Sequence, residues 1–307
     1  MHIPSGFVDL QVNGYADVDF NADVLEADKV AAVCRRLADD GVAGILATVV
    51  TADLTAMCRR LANIARVREA DRSIAAMICG IHIEGPFLNA TPGYIGAHPA
   101  EFARDADPDA MKRLLDAAGG LTRLVTLAPE RDADMRVTNL LVGQGVRVSA
   151  GHCDPTLDQL REAIDAGLSL FTHLGNACPK MLPRHDNIIH RVLSLADRLH
   201  VGFIADGIHV PFIALGNYLK ICRYERAFIV TDAVSGAGLG PGEYRLGNRV
   251  VIVDENLATW SADRSHLVGS AGTMQRSAEN LRTVLAVDER QIQQLMVDNP
   301  RRILGIS

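Results

Sequence analysis

The sequence predicts an α/β fold, a (β/α)8 TIM barrel with a small β-hairpin insertion after strand 8. Two observations favour this fold. Short apolar runs rich in Val, Ile and Leu recur about every 25 to 40 residues, with helical patterns between them, as is typical of parallel strands buried on both faces. Polar and titratable side chains directly follow most of these runs, and a barrel brings all such strand ends to one face. Periodicity alone does not distinguish the barrel from an open doubly wound sheet.

The elements follow in chain order. Strands are predicted at residues 7–11, 44–50, 74–84, 123–127, 146–150, 170–173, 201–205 and 228–231. Asp107 and Asp154 each precede a proline, which suits a helix N-cap followed by proline at the first helical position. Gly119 and Gly167 suit the left-handed residue that ends a helix.

The region after the last strand predicts the insertion. Residues 236–260 are rich in glycine and then alternate apolar with polar residues, which indicates a hairpin over the active face. Helices are predicted at 272–287 and 288–304. Because no repeat, linker or low-complexity segment is present, residues 1–307 are predicted to form a single domain.

Composition excludes several classes of partner. The 37 acidic and 31 basic residues are spread along the chain, so we expect no nucleic-acid or membrane partner. Six cysteines without a C-x-x-C pair predict a reducing compartment, and Met1–Pro4 lack the features of a signal peptide. No apolar run approaches the roughly 20 residues of a spanning helix. A soluble, cytoplasmic protein is expected.

Three of the strand-end residues form a plausible ligand set for a metal. Glu84, His152 and His173 offer one carboxylate and two imidazoles, and a catalytic zinc typically takes three such ligands. For any one of these residues, a structural or capping role is the competing interpretation.

Two further residues are predicted to be catalytic. Asp232 follows the last strand, where a carboxylate can act as general base and acid beside a metal-activated water. Its alternative role is an N-cap for the next loop. His98 lies in a loop shaped by glycines and prolines and could polarise the scissile carbonyl, although an ordinary exposed loop histidine remains the alternative.

Several motifs carry a family resemblance. They are Pro4-Ser5-Gly6-Phe7-Val8-Asp9, His82-Ile83-Glu84-Gly85-Pro86-Phe87, Thr172-His173-Leu174, Asn176-Ala177, Ala205-Asp206-Gly207-Ile208-His209-Val210, Thr231-Asp232-Ala233 and Gly269-Ser270-Ala271. From Pro4 to Gly305 the sequence resembles the N-acetylglucosamine-6-phosphate deacetylases of the amidohydrolase superfamily. The resemblance implies hydrolysis of N-acetylglucosamine 6-phosphate to glucosamine 6-phosphate and acetate, and a homodimer.

The resemblance also implies roles for individual residues. Glu84, His152 and His173 match the metal ligands, Asp232 the catalytic acid/base and His98 the histidine that contacts the substrate carbonyl. Implied substrate contacts are Ala97, His98, Asn176, Ala177, Arg184, His209, Leu267, Val268 and Gly269. Gln11-Val12-Asn13 replaces the H-x-H of two-metal relatives, which implies one divalent ion per subunit, with zinc the first choice.

Two departures from the family pattern keep other functions open. The neighbours of Arg184 differ from the usual run, as does Cys178 in the H-L-x-N-A-M-P motif. We also expect no counterpart of the β-sandwich that usually flanks the barrel in this family, so the barrel surface that it would cover is expected to be polar or used in oligomerisation. The alternatives are the same chemistry on a different N-acyl amino sugar or small amide, and a non-catalytic sugar-binding relative.

Overall fold

The structure, a computed structural model, describes residues 5–306. Met1–Pro4, on which the argument against a signal peptide rests, and Ser307 lie outside the described residues. The strands are β1 (Phe7–Val12), β2 (Gly14–Tyr15), β3 (Val18–Asp19), β4 (Val42–Val50), β5 (Ile78–Glu84), β6 (Thr122–Leu127), β7 (Arg147–Ala150), β8 (Leu170–Phe171), β9 (His200–Ile204), β10 (Ala227–Val230), β11 (Gly242–Leu246), β12 (Arg249–Val253) and β13 (Thr259–Ser261). The helices are α1 (Ala27–Asp39), α2 (Leu54–Ala70), α3 (Arg72–Met77), α4 (Pro108–Ala117), α5 (Arg136–Gly143), α6 (Leu157–Asp165), α7 (Ile188–Leu193), α8 (Phe212–Ile221), α9 (Met274–Thr283), α10 (Glu289–Gln293) and α11 (Asn299–Leu304).

The predicted barrel is confirmed. Eight strands form one sheet in the order β1-β4-β5-β6-β7-β8-β9-β10, and each neighbouring pair is parallel. Strand β4 is buried along its whole length, as the uninterrupted apolar run at 42–50 requires. All eight carboxyl ends therefore lie on one face, which is where this fold places its active sites.

Side chains and loop bonds, instead of a regular ladder, join the first strand to the last. Beyond the strand ends, the Asn13 N–H donates to the Ala233 carbonyl at 2.8 Å. Lower down, the Thr231 hydroxyl donates to Asp9 Oδ2 at 2.6 Å, and the Thr231 N–H also points at this carboxylate. Burial raises the pKa of Asp9 to about 7, against the hydrogen bonds that lower it. A carboxyl group thus closes the barrel seam.

The predicted start of the third strand and the predicted cap of helix α6 are both wrong. In each case the residue that caps the helix is not one expected from the sequence. The third strand begins at Ile78, not at residue 74, because Asp71 accepts the N–H groups of Ser73 and Ile74 and starts helix α3. Helix α6 is capped by Thr156 in a reciprocal bond with Gln159, and not by Asp154.

The other predicted helix ends are confirmed. Asp107 caps α4 by accepting the Asp109 N–H, with Pro108 at the first helical position. Gly119 and Gly167 both have positive φ, at 59° and 108°.

The predicted hairpin is present and is larger than expected. Strands β11 and β12 pair antiparallel, and β13 adds a third strand that the sequence pattern did not indicate. Trp260 of β13 bridges to Leu267, so this three-stranded sheet leads directly into the segment predicted to contact substrate.

The predicted C-terminal helices are shorter and more interrupted than expected. The helix predicted at 272–287 extends over Met274–Thr283. The helix predicted at 288–304 contains a π-helical turn, Gln294–Asp298, which ends two residues before Pro300. Proline cannot donate an i→i−4 hydrogen bond, and this local change of pitch accommodates it. None of the helices within residues 5–306 combines the length and apolar character needed to cross a membrane.

Candidate metal centre and substrate pocket

A cavity of about 790 Å³ lies at the carboxyl ends of the barrel strands. All predicted site residues line it except Arg184 and Val268. Two other cavities, of about 450 and 480 Å³, are lined by none of the predicted site residues. The residues predicted at the strand ends therefore share one concave site.

The three predicted metal ligands converge on one carboxylate oxygen. Glu84 ends β5, and its Oε1 lies 3.2 Å from His152 Nε2 and 3.0 Å from His173 Nε2. All three side chains are buried. His152, His173 and Asp232 also have positive φ, at 52°, 31° and 52°, a conformation that non-glycine residues rarely adopt. Such strained residues cluster at functional sites.

The hydrogen bonding of His152 fits a cation. Its Nδ1 lies 2.9 Å from the Tyr94 carbonyl oxygen, which can only accept, so Nδ1 carries the hydrogen. In the neutral tautomer, Nε2 then presents a lone pair towards the Glu84 carboxylate, and two acceptors face each other. A metal ion is the group that such a pair of donor atoms accommodates.

The charges of this cluster are coupled. Burial opposes ionisation of Glu84, but the His152, His173 and His98 rings beside it outweigh burial and hold the carboxyl pKa well below its usual range. Burial likewise opposes protonation of His173, yet the bond to Glu84 and the carboxylate charge raise its pKa. Glu84 is therefore a carboxylate, as a metal ligand must be.

His98 approaches the same cluster. Its Nε2 lies 3.2 Å from His152 Nε2 and 3.8 Å from Glu84 Oε2. Glu84, His98 and His152 form a compact group of potential ligands, with the ligand atoms all within 4.8 Å of one another. Geometry alone thus offers His98 and His173 as alternatives for the third ligand. Burial and the neighbouring His152 lower the pKa of His98 well below its usual value, so His98 is a neutral imidazole.

Asp232 is held by the end of the first strand. Asn13 Nδ2 donates to Asp232 Oδ1 at 2.7 Å, and Gln11 Nε2 donates to the same oxygen at 3.1 Å. Gln11 Nε2 also lies 3.0 Å from Glu84 Oε1 and so connects the two carboxylates. Burial, followed by the Glu84 charge, raises the pKa of Asp232 to about 6. The sequence placed Gln11 and Asn13 at a strand end but did not indicate that they hold Asp232.

The same cavity contains a second histidine arrangement. His209 Nδ1 lies 2.6 Å from Asp206 Oδ2, while Asp206 Oδ1 accepts the N–H groups of Ile208 and His209. This carboxylate fixes the ring, and the buried His209 Nε2 has no hydrogen-bond partner within residues 5–306. Asn176 and Ala177 line the same cavity. The structure thus leaves a polar atom of His209 free for a ligand.

Arg184 is not brought to the cavity. Its side chain is exposed, and it is absent from the residues that line the cavity. Val268 is buried in a small apolar cluster instead of facing the cavity. Two cations that the sequence did not single out, Lys180 and Arg249, line the cavity. The Arg249 guanidinium donates to the carbonyl oxygen of Ala97, so the β12 strand reaches the His98 loop. Sequence patterning carries no signal for such a contact, because it depends on where the three-stranded sheet folds over the barrel.

Comparison with known proteins points in one direction. No protein-family model matches the chain. It is 34% identical over 310 residues to the N-acetylglucosamine-6-phosphate deacetylase of Bos taurus, covering 98% of this chain and 74% of that protein. It is 31% identical over 302 residues to the N-acetylgalactosamine-6-phosphate deacetylase of Escherichia coli O157:H7, covering 98% and 77%. A structure of the Mycobacterium smegmatis N-acetyl-D-glucosamine-6-phosphate deacetylase, a variant in complex with N-acetyl-D-glucosamine 6-phosphate, superposes with a TM-score of 0.88 at 31% identity, covering 99% and 78%.

Proposed function

Because the chain belongs to the N-acetylglucosamine-6-phosphate deacetylase family of the amidohydrolase superfamily, we propose that it hydrolyses N-acetylglucosamine 6-phosphate to glucosamine 6-phosphate and acetate. The observation that carries this proposal is the meeting of Glu84, His152, His173 and Asp232 around one cavity. Relatives that are 31–34% identical in sequence over nearly the whole chain support it.

Enzymes of this superfamily are metal-dependent, and the ligands we propose here are Glu84, His152 and His173. We propose one ion, with zinc the first choice, because one carboxylate and two imidazoles suit borderline metals. Gln11 supports a single ion. Its side-chain N–H groups point at both Glu84 and Asp232, and N–H donors cannot ligate a second cation between these carboxylates.

When bound, the metal would polarise the acyl carbonyl and lower the pKa of a water molecule. The protein's own acid/base group is Asp232. With a pKa of about 6, its carboxylate is mostly ionised at neutral pH and takes up a proton as water adds to the carbonyl. Asp232 then delivers that proton to the departing amine. Asn13 and Gln11 keep Oδ1 in place and leave Oδ2 for the proton.

His98 supplies the second contribution. As a buried neutral imidazole it has one N–H to donate, and we propose that it hydrogen-bonds the substrate carbonyl as negative charge develops there. In the same cavity, Asn176, Ala177 and His209 bind the sugar phosphate, with Asp206 holding the His209 ring and leaving its Nε2 free for the substrate. Ala97, Leu267, Val268 and Gly269 complete the proposed substrate contacts, the buried Val268 only through its backbone.

We also propose a homodimer in a reducing cytoplasm. The apolar side chains of Met181 and Ile213 are 89% and 83% exposed, and a second copy of the chain would cover such groups. Within the described residues every cysteine is a free thiol, which suits a reducing compartment.

The test is amine release from three substrates by purified protein whose metal content has been quantified. The substrates are N-acetylglucosamine 6-phosphate, N-acetylgalactosamine 6-phosphate and unphosphorylated N-acetylglucosamine. We expect the first to react fastest. Fast turnover of N-acetylgalactosamine 6-phosphate alone would show that this epimer is the substrate instead. Bound metal without turnover of any of the three would keep the amide chemistry and move the substrate elsewhere. Absence of both metal and turnover would favour a non-catalytic sugar-binding relative.

A further inference from the structure

A row of polar side chains crosses the barrel interior on the N-terminal side of the proposed metal ligands. Ser149 Oγ lies 2.7 Å from Thr172 Oγ1, which lies 2.8 Å from Thr126 Oγ1, and this oxygen lies 2.8 Å from His82 Nε2. All four side chains are buried. We call these four residues the hydroxyl row. One placement of hydrogens satisfies it: each hydroxyl donates to the next, and the last donates to the acceptor nitrogen of a neutral His82.

Thr126 is the central member of the row, and it adjoins the strand that carries Glu84. In the pairing of β5 with β6, Thr126 is the Cα partner of Glu84. Its hydroxyl also bonds to His82, two residues earlier on the same strand. The offset between β5 and β6 near Glu84 is therefore fixed by a backbone pairing and by a side-chain bond.

Thr126 also contacts the neighbours of both histidine ligands. Its hydroxyl bonds to Thr172, which directly precedes His173. Its methyl group packs against Gly151, which directly precedes His152. A Cβ atom on Gly151 would lie only 2.7 Å from Thr126 Cγ2, so residue 151 is a glycine where this threonine approaches. One side chain thus touches a residue within two positions of each proposed ligand.

The hydroxyl of Thr126 is not needed for packing. Valine has nearly the same shape and avoids the cost of burying a polar group, which is about 1–3 kcal/mol when the group is left without a partner. The same strand shows the contrast: Thr122 is buried, and its hydroxyl has no partner within residues 5–306. The bonded row joins three strands, β5, β6 and β7, to the residue that follows β8, and its directional hydrogen bonds fix side-chain orientations that apolar contacts do not fix.

We propose that Thr126 is a positioning residue whose hydroxyl holds the strand ends of Glu84, His152 and His173 in the arrangement that binds the metal. This inference rests on the proposed ligand set. Groups that hydrogen-bond metal ligands directly change metal affinity about 10- to 100-fold when they are removed, because they orient the ligands before the metal arrives, and we propose that Thr126 orients them through the adjacent backbone. Thr126 acts on the ligands through their neighbours and touches neither substrate nor metal.

The experiment compares Zn²⁺ affinity across three variants of the full chain, by competition with a chromogenic chelator. Thr126→Val keeps the shape and removes the hydroxyl, and we expect its Kd for Zn²⁺ to rise about 10- to 100-fold. Thr126→Ser keeps the hydroxyl, so its Kd should stay within about threefold of the wild-type value. Thr122→Val is the matched control on the same strand, and its Kd should not change. Thermal midpoints of the metal-free proteins are measured in parallel.

The outcomes separate the possibilities. Unchanged Zn²⁺ affinity in Thr126→Val with a lowered midpoint would reduce the row to a structural role and overturn the proposal. Equal weakening in Thr126→Val, which keeps the methyl group, and in Thr126→Ser, which keeps the hydroxyl, would assign the effect to the packing of the whole side chain and not to the hydroxyl, which also overturns the proposal. If Thr126→Val does not fold, Ser149→Ala removes the first donor of the row, and an unchanged Kd there refutes the proposal. Failure of the wild-type protein to bind stoichiometric Zn²⁺ would instead reject the ligand set itself.

Discussion

The carboxyl group that closes the barrel seam predicts a stability that depends on pH. Asp9 is buried and accepts from the Thr231 hydroxyl and from the N–H groups of Gln11 and Thr231. Its pKa is raised from 3.8 to about 7. The folded protein therefore binds a proton that the unfolded chain releases above pH 4. The stabilisation associated with this proton is complete below the unfolded pKa and is lost as the pH rises towards 7.

The size of the effect follows from the two pKa values. They differ by about 3, and one pKa unit corresponds to about 1.4 kcal/mol, so the full loss is about 4 kcal/mol. Asp9→Asn removes the charge and keeps an oxygen for the two N–H donors. We expect the variant to equal the wild type near pH 4, to exceed it by about 1.5 kcal/mol at pH 5 and to gain about 4 kcal/mol by pH 7.

Urea denaturation of metal-free protein at half-unit steps from pH 4 to pH 8 measures this difference without linkage to metal binding. The exposed Asp116→Asn is the control for the substitution itself and should give a flat difference. A flat difference between Asp9→Asn and the wild type would show that the buried carboxyl is not protonated in the folded state. A variant that falls further below the wild type as the pH rises would show that the folded state prefers the ionised form.

The remaining predictions concern the site. Asp232→Asn should bind metal normally and lose kcat about 10²- to 10⁴-fold, since it removes only the proton acceptor, and turnover near wild type would exclude Asp232 from the mechanism. His173→Asn should lose metal while His98→Asn keeps it, as measured by elemental analysis, and the reverse pattern would make His98 the third ligand. Gly151→Ala should lower the thermal midpoint by the equivalent of about 1–3 kcal/mol, because the added methyl overlaps two buried threonines, and an unchanged midpoint would show that the barrel relaxes around it.

Barrel topology made much of the site predictable from the sequence. Glu84 and His173 are 89 residues apart, yet their side chains meet because parallel strand ends share one face. Not every polar side chain near a strand end lines the cavity. His82 belongs to the hydroxyl row, and Glu130 accepts from Asn89 and from the Asp154 N–H. Its position at a strand end brings a residue to the carboxyl-end face of the barrel. The backbone conformation at that residue then determines whether its side chain points into the cavity.

Local chemistry that depends on the exact cap was harder to predict. Residues 74–77 have the apolar character of a strand, and a single side chain, Asp71, makes them helical. Thr156 forms a reciprocal bond that Asp154 cannot form, because Asp154 is occupied by Arg191. When two residues that could cap a helix lie two positions apart, a tertiary contact to one of them determines which residue caps the helix. A single sequence does not show that contact.

The span of chain across the site has a consequence for biosynthesis. Once residue 173 has left the ribosome, all three proposed ligands exist, but Asp232 and the last two strands of the barrel do not. Gln11, which bridges Glu84 and Asp232, can form its bond to Asp232 only after a further 221 residues have been synthesised. An incomplete chain can thus hold the proposed ligands without the proposed acid/base group. With these roles, hydrolysis requires that the first and last strands have paired, so we expect a truncated or stalled product to carry the proposed metal-binding side chains and to have no activity.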